Sequence, residues 1–290
     1  MHGLFLKFML MGLMCEDSEG IHFILHIVSD PFFALLVFST TLVAASGNII
    51  NDYFDVKIDR INKPEKLIVD RYISKRKAIL FHTILNFIAV FIALIIWYFR
   101  SNYWPLIFHL ITTSFLWMYS GILKRKFLTG NVTIAILTAM VPMLVYLFDK
   151  GQFSVDNFAH TQAFNAMGFF ALFAFFTTLI REIQKDFADM KGDSMYGCQT
   201  VPLYLGIRKG RMILFFVFAA TIVTFIVLFV LLAKLNALNI SFFVVVGFLM
   251  LVSLIQSFKA VRRKSWVRAA GTMKLVMVIA LLFFVVKIYV

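Results

Sequence analysis

Asp52, Asp55 and Asp59 recur as Asp186, Asp189 and Asp193, 134 residues further along and with the same 0, +3, +7 spacing. On an α-helix those offsets share one face, so each set is expected as a carboxylate stripe. Like charges placed this way repel by about 0.2–0.5 kcal/mol per pair, and something cationic must sit against them. Lys/Arg pairing is the ordinary answer, because both stretches contain bases. Two matching stripes suit a hard divalent ion better: Mg2+ binds through one or two carboxylates together with substrate phosphates. Facing stripes could then hold Mg2+ ions that bridge a diphosphate and draw off charge as it leaves. Neighbouring Lys and Arg would stabilise the same developing charge.

The elements that must position these acids follow from composition. The chain has 290 residues, 61% of them hydrophobic and 35 of them Phe, with a mean hydropathy of +0.90. Soluble domains are about 45–50% apolar and about 25% charged, which makes a water-soluble globule improbable at 15% charged. Nine of the fifteen acids fall within 52–70 and 182–193, and none follows Asp193. Seven windows lack Asp, Glu, Lys and Arg: 31–51, 78–99, 101–123, 127–148, 157–180, 212–233 and 235–258. A helix needs about 20 apolar residues to cross the hydrocarbon, so each window reads as a span. An eighth span is expected at 270–289, and a short first helix within about 3–28 brings the total to nine. Residues 16–20 lack the small-residue cleavage site of a signal peptide.

Loop charges test that count. Loops after the second, fourth, sixth and eighth spans carry 22 Lys/Arg, whereas those after the third, fifth and seventh carry three: Arg100, Lys150 and Lys234. Basic loops face the cytoplasm, which places 51–77 and 181–211 there and makes the chain a multi-pass protein, expected in a bacterial inner membrane. The net charge of +13 therefore reflects topology and anionic lipid heads and needs no nucleic acid. Cys15 and Cys198 lack a CxxC spacing, which argues against a disulfide or a thiolate–metal site. His22 and His26 share a helical spacing but read as packing or interfacial residues.

Read as motifs, the two acidic stretches resemble a known family. N-D-Y-F-D-V-K-I-D-R-I-N-K-P at 51–64 is similar to the first aspartate-rich motif of the UbiA superfamily of intramembrane prenyltransferases, and R-E-I-Q-K-D-F-A-D-M-K-G-D at 181–193 to the second. Between them, Tyr119 to Arg125, followed by Gly130 and Asn131, resembles the tyrosine–lysine–arginine motif after the fourth helix. The resemblance covers about 30–290. It implies one all-α membrane domain over 1–290, with nine helices around a central cavity and a polar cytoplasmic cap. It further implies a polyprenyl diphosphate substrate, Mg2+ as cofactor and transfer of the prenyl group, with no obligate protein partner.

Carried over by residue, Asn51, Asp52, Asp55 and Asp59 would hold one Mg2+, and Asp186, Asp189 and Asp193 the other. Lys124 and Arg125 would contact the diphosphate, with Lys185 and Arg60 as further phosphate ligands, and Tyr119 would stand near the C1 carbon. Asp55, Asp189, Tyr119 and Lys124 are the residues expected to be catalytic. The ordinary reading of Tyr119 is an interfacial aromatic, and that of Arg60, Lys63 and Lys66 is positive-inside charge. The second motif is most similar to members that alkylate the hydroxyl of a glycerol-phosphate lipid with a geranylgeranyl group. Quinone-forming members, whose acceptor is 4-hydroxybenzoate or a naphthoate, are the alternative. Two features depart from the family pattern: a short first helix, and E-K-L-I-V-D after Pro64 where many members have Arg-Pro-Leu. A cation-coupled transporter would instead place isolated charges inside broken spans, whereas these charges sit at span ends.

Overall fold

The computed structural model describes residues 30–149, 157–232 and 237–289. Eight helices form there: α1 (Pro31–Asn62), α2 (Lys75–Arg100), α3 (Trp104–Gly121), α4 (Thr129–Asp149), α5 (Asn157–Met195), α6 (Val201–Leu232), α7 (Ala237–Lys259) and α8 (Arg263–Tyr289). They correspond to the second to ninth expected spans; the expected first helix, 3–28, lies outside the described residues. Among those residues no strand forms beyond an isolated Val69–Ile73 bridge. Among the described residues, five helices are long and apolar enough to cross a bilayer: α1, α2 and parts of α4, α6 and α7. The protein is an integral membrane protein.

Helix ends follow local chemistry. Pro31 opens α1, where its fixed φ and missing N–H suit the first turn, and the Asp30 carboxylate caps the helix by accepting from Phe32 N at 2.9 Å. The same carboxylate pairs with Arg100 at the end of α2, whose guanidinium lies 5.0 Å over the Phe32 ring. This closes the far end of the α1–α2 hairpin. At the other end, α1 runs eleven residues past its apolar window (31–51) to Asn62. Likewise α5 continues from the apolar 157–180 through Met195. Each acid stripe is therefore the last, polar part of a membrane helix.

The helices with stripes are anchored from behind by uncharged polar knots. Ser46 Oγ on α1 donates to Asn86 Oδ1 on α2 at 2.8 Å, and Thr113 Oγ1 on α3 donates to the same oxygen at 3.1 Å. His82 Nδ1 stands 3.0 Å from Ser46 O, and His109 Nε2 lies 2.8 Å from Ser39 Oγ. On the second half, Gln184 Nε2 of α5 donates to Ser253 Oγ and Ser257 Oγ of α7 at 3.0 and 2.9 Å. Ser253 Oγ in turn donates to Ala269 O of α8 at 3.1 Å. Between helices in lipid, packing and interhelical hydrogen bonds replace the hydrophobic drive. The apolar core includes Phe33, Leu36, Phe148, Ile180, Phe218 and Met273, all at most 2% exposed.

Candidate active site

The ends of α1 and α5 meet at a small polar cavity of about 50 Å3. Asn51, Asp55 and Asp59 line it from α1; Lys185, Asp186, Asp189 and Asp193 line it from α5; Tyr119, Lys124 and Arg125 enter from α3 and the turn after it. Ten of the twelve residues expected from the sequence therefore converge. Asp52, one turn deeper along α1, is not among the lining residues. Arg60 is also elsewhere: it is exposed and pairs with Asp70 at 2.5 Å. The cause is helical phase, since Arg60 follows Asp59 by one residue and so points about 100° away from the stripe.

Backbone geometry brings the middle motif in. After α3 a single 3-10 turn, Leu123–Arg125, folds over the start of α4. A Cβ on Gly130 would stand 2.7 Å from Lys124 Cα and 3.0 Å from Leu123 O, so only glycine permits this approach. The turn directs Lys124 into the cavity, where its ammonium pairs with Asp55 and donates to Asn51 Oδ1 at 3.3 Å. Burial alone would lower the Lys124 pKa; the charge and hydrogen bond of Asp55 outweigh it and the net shift is upward.

Asn62 joins the two acidic helices. Its amide Nδ2 donates to Asp189 O at 2.9 Å, and its Oδ1 accepts from Gly192 N at 2.8 Å. A Cβ on Gly192 would lie 2.6 Å from Asn62 Nδ2, which explains a glycine within an acidic helix end. Asn62 extends the 52, 55, 59 stripe by three more residues, a signal already in the sequence that charge alone concealed.

The acids have unequal partners. Lys63 pairs with Asp59 at 3.2 Å, one helical turn away. Asp186 Oδ2 accepts from Asn131 Nδ2 at 2.8 Å. Asp189 Oδ1 is buried and accepts no hydrogen bond, with Arg263 Nε 3.6 Å away. Glu182 is held by Arg181 and Lys185 at 2.8 and 2.7 Å, so Lys185 reaches the cavity wall already paired. Asp186 and Asp193 stand beyond the apolar part of α5. Burial pushes the Asp186 carboxyl up to about 8 against the Asn131 hydrogen bond. It pushes Asp193 up to about 7, and the Asp189 charge adds to the shift. The sequence reading missed Asn131, Lys63, Asn62 and Arg263 as partners; Arg263 has no local signal because it comes from the start of α8.

This donor set fits Mg2+. It is all oxygen, carboxylates with one amide, and it includes a buried carboxylate oxygen with no hydrogen bond. Among the described residues no three His, Cys, Asp or Glu side chains converge to hold an ion unaided. Mg2+ does not require that, since it keeps waters and takes phosphate oxygens alongside one or two carboxylates.

A model of the UbiA prenyltransferase family matches residues 8–282. The chain belongs to the UbiA prenyltransferase family. Among curated UbiA relatives, the digeranylgeranylglyceryl phosphate synthase of Thermococcus sibiricus is 33% identical over 191 residues, which cover 66% of this chain and 62% of that protein. That of Methanosarcina mazei is 36% identical over 168 residues, 58% of this chain and 53% of that one. The match thus spans a little over half the length of these relatives. Solved UbiA structures share the fold. One concerned with digeranylgeranylglyceryl phosphate synthase has a TM-score of 0.65 at 23% identity, covering 99% of this chain and 92% of that one. The apo UbiA homologue from Aeropyrum pernix gives 0.67 at 13% identity, covering 97% of each. The UbiA homologue from Archaeoglobus fulgidus bound to GPP and Mg2+ gives 0.55 at 17%, covering 99% and 96%.

Proposed function

We propose that this protein transfers a geranylgeranyl group from its diphosphate to the hydroxyl of a glycerol-phosphate lipid. The observation that carries the reading is the cavity itself, where two acid stripes and the Lys124–Arg125 turn converge at the polar ends of two membrane helices. Support for the acceptor comes from the relatives, which are named for digeranylgeranylglyceryl phosphate synthesis. Support for a metal comes from the donor set and from the homologue bound to GPP and Mg2+.

Asn51, Asp55 and Asp59 on one wall and Asp186, Asp189 and Asp193 on the other would hold the metal. When bound, Mg2+ supplies Lewis-acid neutralisation of the diphosphate. Lys124 and Arg125 bind the same oxygens and take up charge as the C1–O bond breaks. Tyr119, buried beside Lys124, presents an aromatic face to the allylic cation, a contact of about 0.5–2 kcal/mol. The acceptor oxygen then bonds to C1 and its proton passes to the departing diphosphate, while exclusion of bulk water from the site would protect the cation from quenching. The domain spans 1–290 and the cavity faces the cytoplasm, the side assigned by the loop charges.

The test uses purified protein with geranylgeranyl diphosphate, with and without Mg2+, and a panel of glycerol-phosphate lipid, 4-hydroxybenzoate and dihydroxynaphthoate. Mass spectrometry should find an ether product only with Mg2+ and the lipid. Prenylation of an aromatic acceptor alone would replace the acceptor assignment. Cation flux in proteoliposomes without any prenyl transfer would overturn the enzyme reading.

A further inference from the structure

The third of the chain after Asp193 contains eleven Lys/Arg and no acid. No counter-charge for these bases can come from within that third, and six of the acids before it line the cavity. Three of the bases border a groove of about 1070 Å3 between α6 and α7, remote from the cavity lining. Arg208, Arg211 and Lys259 form its polar end; Phe215, Phe216 and Phe258 line its apolar walls. None of the three bases forms an ion pair among the described residues. The walls include Phe216 at 65% exposed and Ile255 at 53%.

The groove exists because α6 and α7 are each pinned to other helices rather than to one another. At Gly210, α6 packs so closely on α5 that a Cβ would lie 2.9 Å from the Phe187 ring. α7 is held by Gln184 of α5 and, through Ser253, by Ala269 of α8, and α6 and α7 touch each other only sparsely. Phe215 and Phe258 meet edge-on across the gap at 6.2 Å. Above them α6 breaks at Gly206, whose φ is 79°, and this sets Arg208 at the head of the spanning part. Arg211 is preset: it donates to Ala260 O at 2.5 Å and lies 5.7 Å over the Trp266 ring, while its buried Nε has no partner.

We infer that this groove is a binding site for one anionic membrane lipid, its phosphate on Arg208, Arg211 and Lys259 and its chains along the phenylalanine walls. A pre-oriented guanidinium recognises phosphate oxygens through paired N–H groups. Exposed aromatics around a concave apolar wall take chains that a convex helix face would only brush. The polar end lies on the membrane side of the acid stripes, where an anionic leaflet supplies the head groups. The inference does not rest on the transfer chemistry, because the groove and the cavity share no lining residue.

Native mass spectrometry of the detergent-purified chain, titrated with phosphatidylglycerol or phosphatidylcholine, tests it. The expected result is one retained lipid adduct with at least fivefold preference for phosphatidylglycerol. Arg208→Gln with Lys259→Gln should reduce that preference below twofold, whereas Arg76→Gln with Lys77→Gln, on the same membrane side, should leave it unchanged. Equal loss in both pairs would reduce the effect to diffuse surface charge and overturn the site. Ile255→Trp, which fills the groove without altering charge, should also remove the adduct; full retention by a monodisperse variant excludes the groove. Prenyl transfer to the glycerol-phosphate acceptor, in detergent without added phosphatidylglycerol, should be unchanged in the Arg208/Lys259 variant, and a loss there would assign these bases to the transfer site instead.

Discussion

The two acid stripes have the same spacing but are neutralised differently. On α1, Asp55 is paired with Lys124 and Asp59 with Lys63. On α5, Asp186 has a neutral amide, Asp189 has a distant guanidinium, and burial drives Asp186 and Asp193 upward to about 8 and about 7. Burial raises Asp59 on the first stripe as well, but there Asp55 and Asp59 each have a lysine partner, whereas on the second stripe the nearest cation is Arg263, 3.6 Å from Asp189. Under the proposed function the contrast points to a division of labour in which α5 would supply most of the metal affinity and α1 would act with Lys124 on the diphosphate.

The largest effects should come from the acids themselves. Asp55→Asn and Asp189→Asn should each cost about 10³-fold in turnover, the several kcal/mol a Lewis-acid site contributes. Only Asp189→Asn should markedly raise the Mg2+ concentration for half-maximal activity. Equal shifts in that midpoint would abolish the distinction between stripes. Next, Lys124→Ala should lower kcat by about 10²–10³-fold, as for loss of one preorganised electrostatic donor. Because it shares a contact with Asp55, the double variant with Asp55→Asn should be far less than additive; strict additivity would show that the two act separately.

A middle tier concerns the residues that orient the acids. Asn131→Ala should weaken apparent Mg2+ affinity about 10–100-fold, the usual penalty for losing a partner of a metal ligand, while kcat at saturating Mg2+ changes little. Asn62→Ala removes the bridge from α1 to Asp189 and Gly192, and should lower stability by about 1–3 kcal/mol, read as a reduced midpoint in detergent melts. An unchanged melt would show the bridge to be dispensable. The smallest effect belongs to Lys63→Gln, since an i,i+4 pair at a helix end contributes about 0.3–0.5 kcal/mol; turnover should stay within threefold, and a larger drop would move Lys63 into the phosphate site.

What the sequence disclosed was what is local. Apolar windows located the helices, and the offset of 3 and 7 predicted one face for each acid set; on α5 all three acids line the cavity, whereas on α1 Asp55 and Asp59 do and Asp52 does not. Helix ends were less legible: the window at 212–233 began late because Arg208, Lys209 and Arg211 interrupt it, yet α6 starts at Val201. Charged residues end a hydrophobic run without ending a helix. Partner choice was legible only through the family resemblance, and then incompletely. Lys124 meets Asp55 across 69 residues and Asn131 meets Asp186 across 55, contacts that no spacing encodes. Arg60 was assigned by its place in a motif, and helical phase took it elsewhere.

The polar knots have a mechanical consequence for the chemistry above them. A lipid-facing helix packed by apolar contacts alone can slide along its neighbour, and one full turn displaces it by 5.4 Å. Such a slip of α5 would carry Asp186 past its Asn131 partner and bring Asp193 level with Asp189's place. Gln184 resists it, because its amide bonds both Ser253 and Ser257 only in the present register and would lose one of them on slipping, and Asn86 resists the same slip of α1 against α2 and α3. The spacing between the acid walls is therefore gauged by joints inside the bilayer, so enlarging a hydroxyl there, as in Ser253→Leu, should detune the site without touching it.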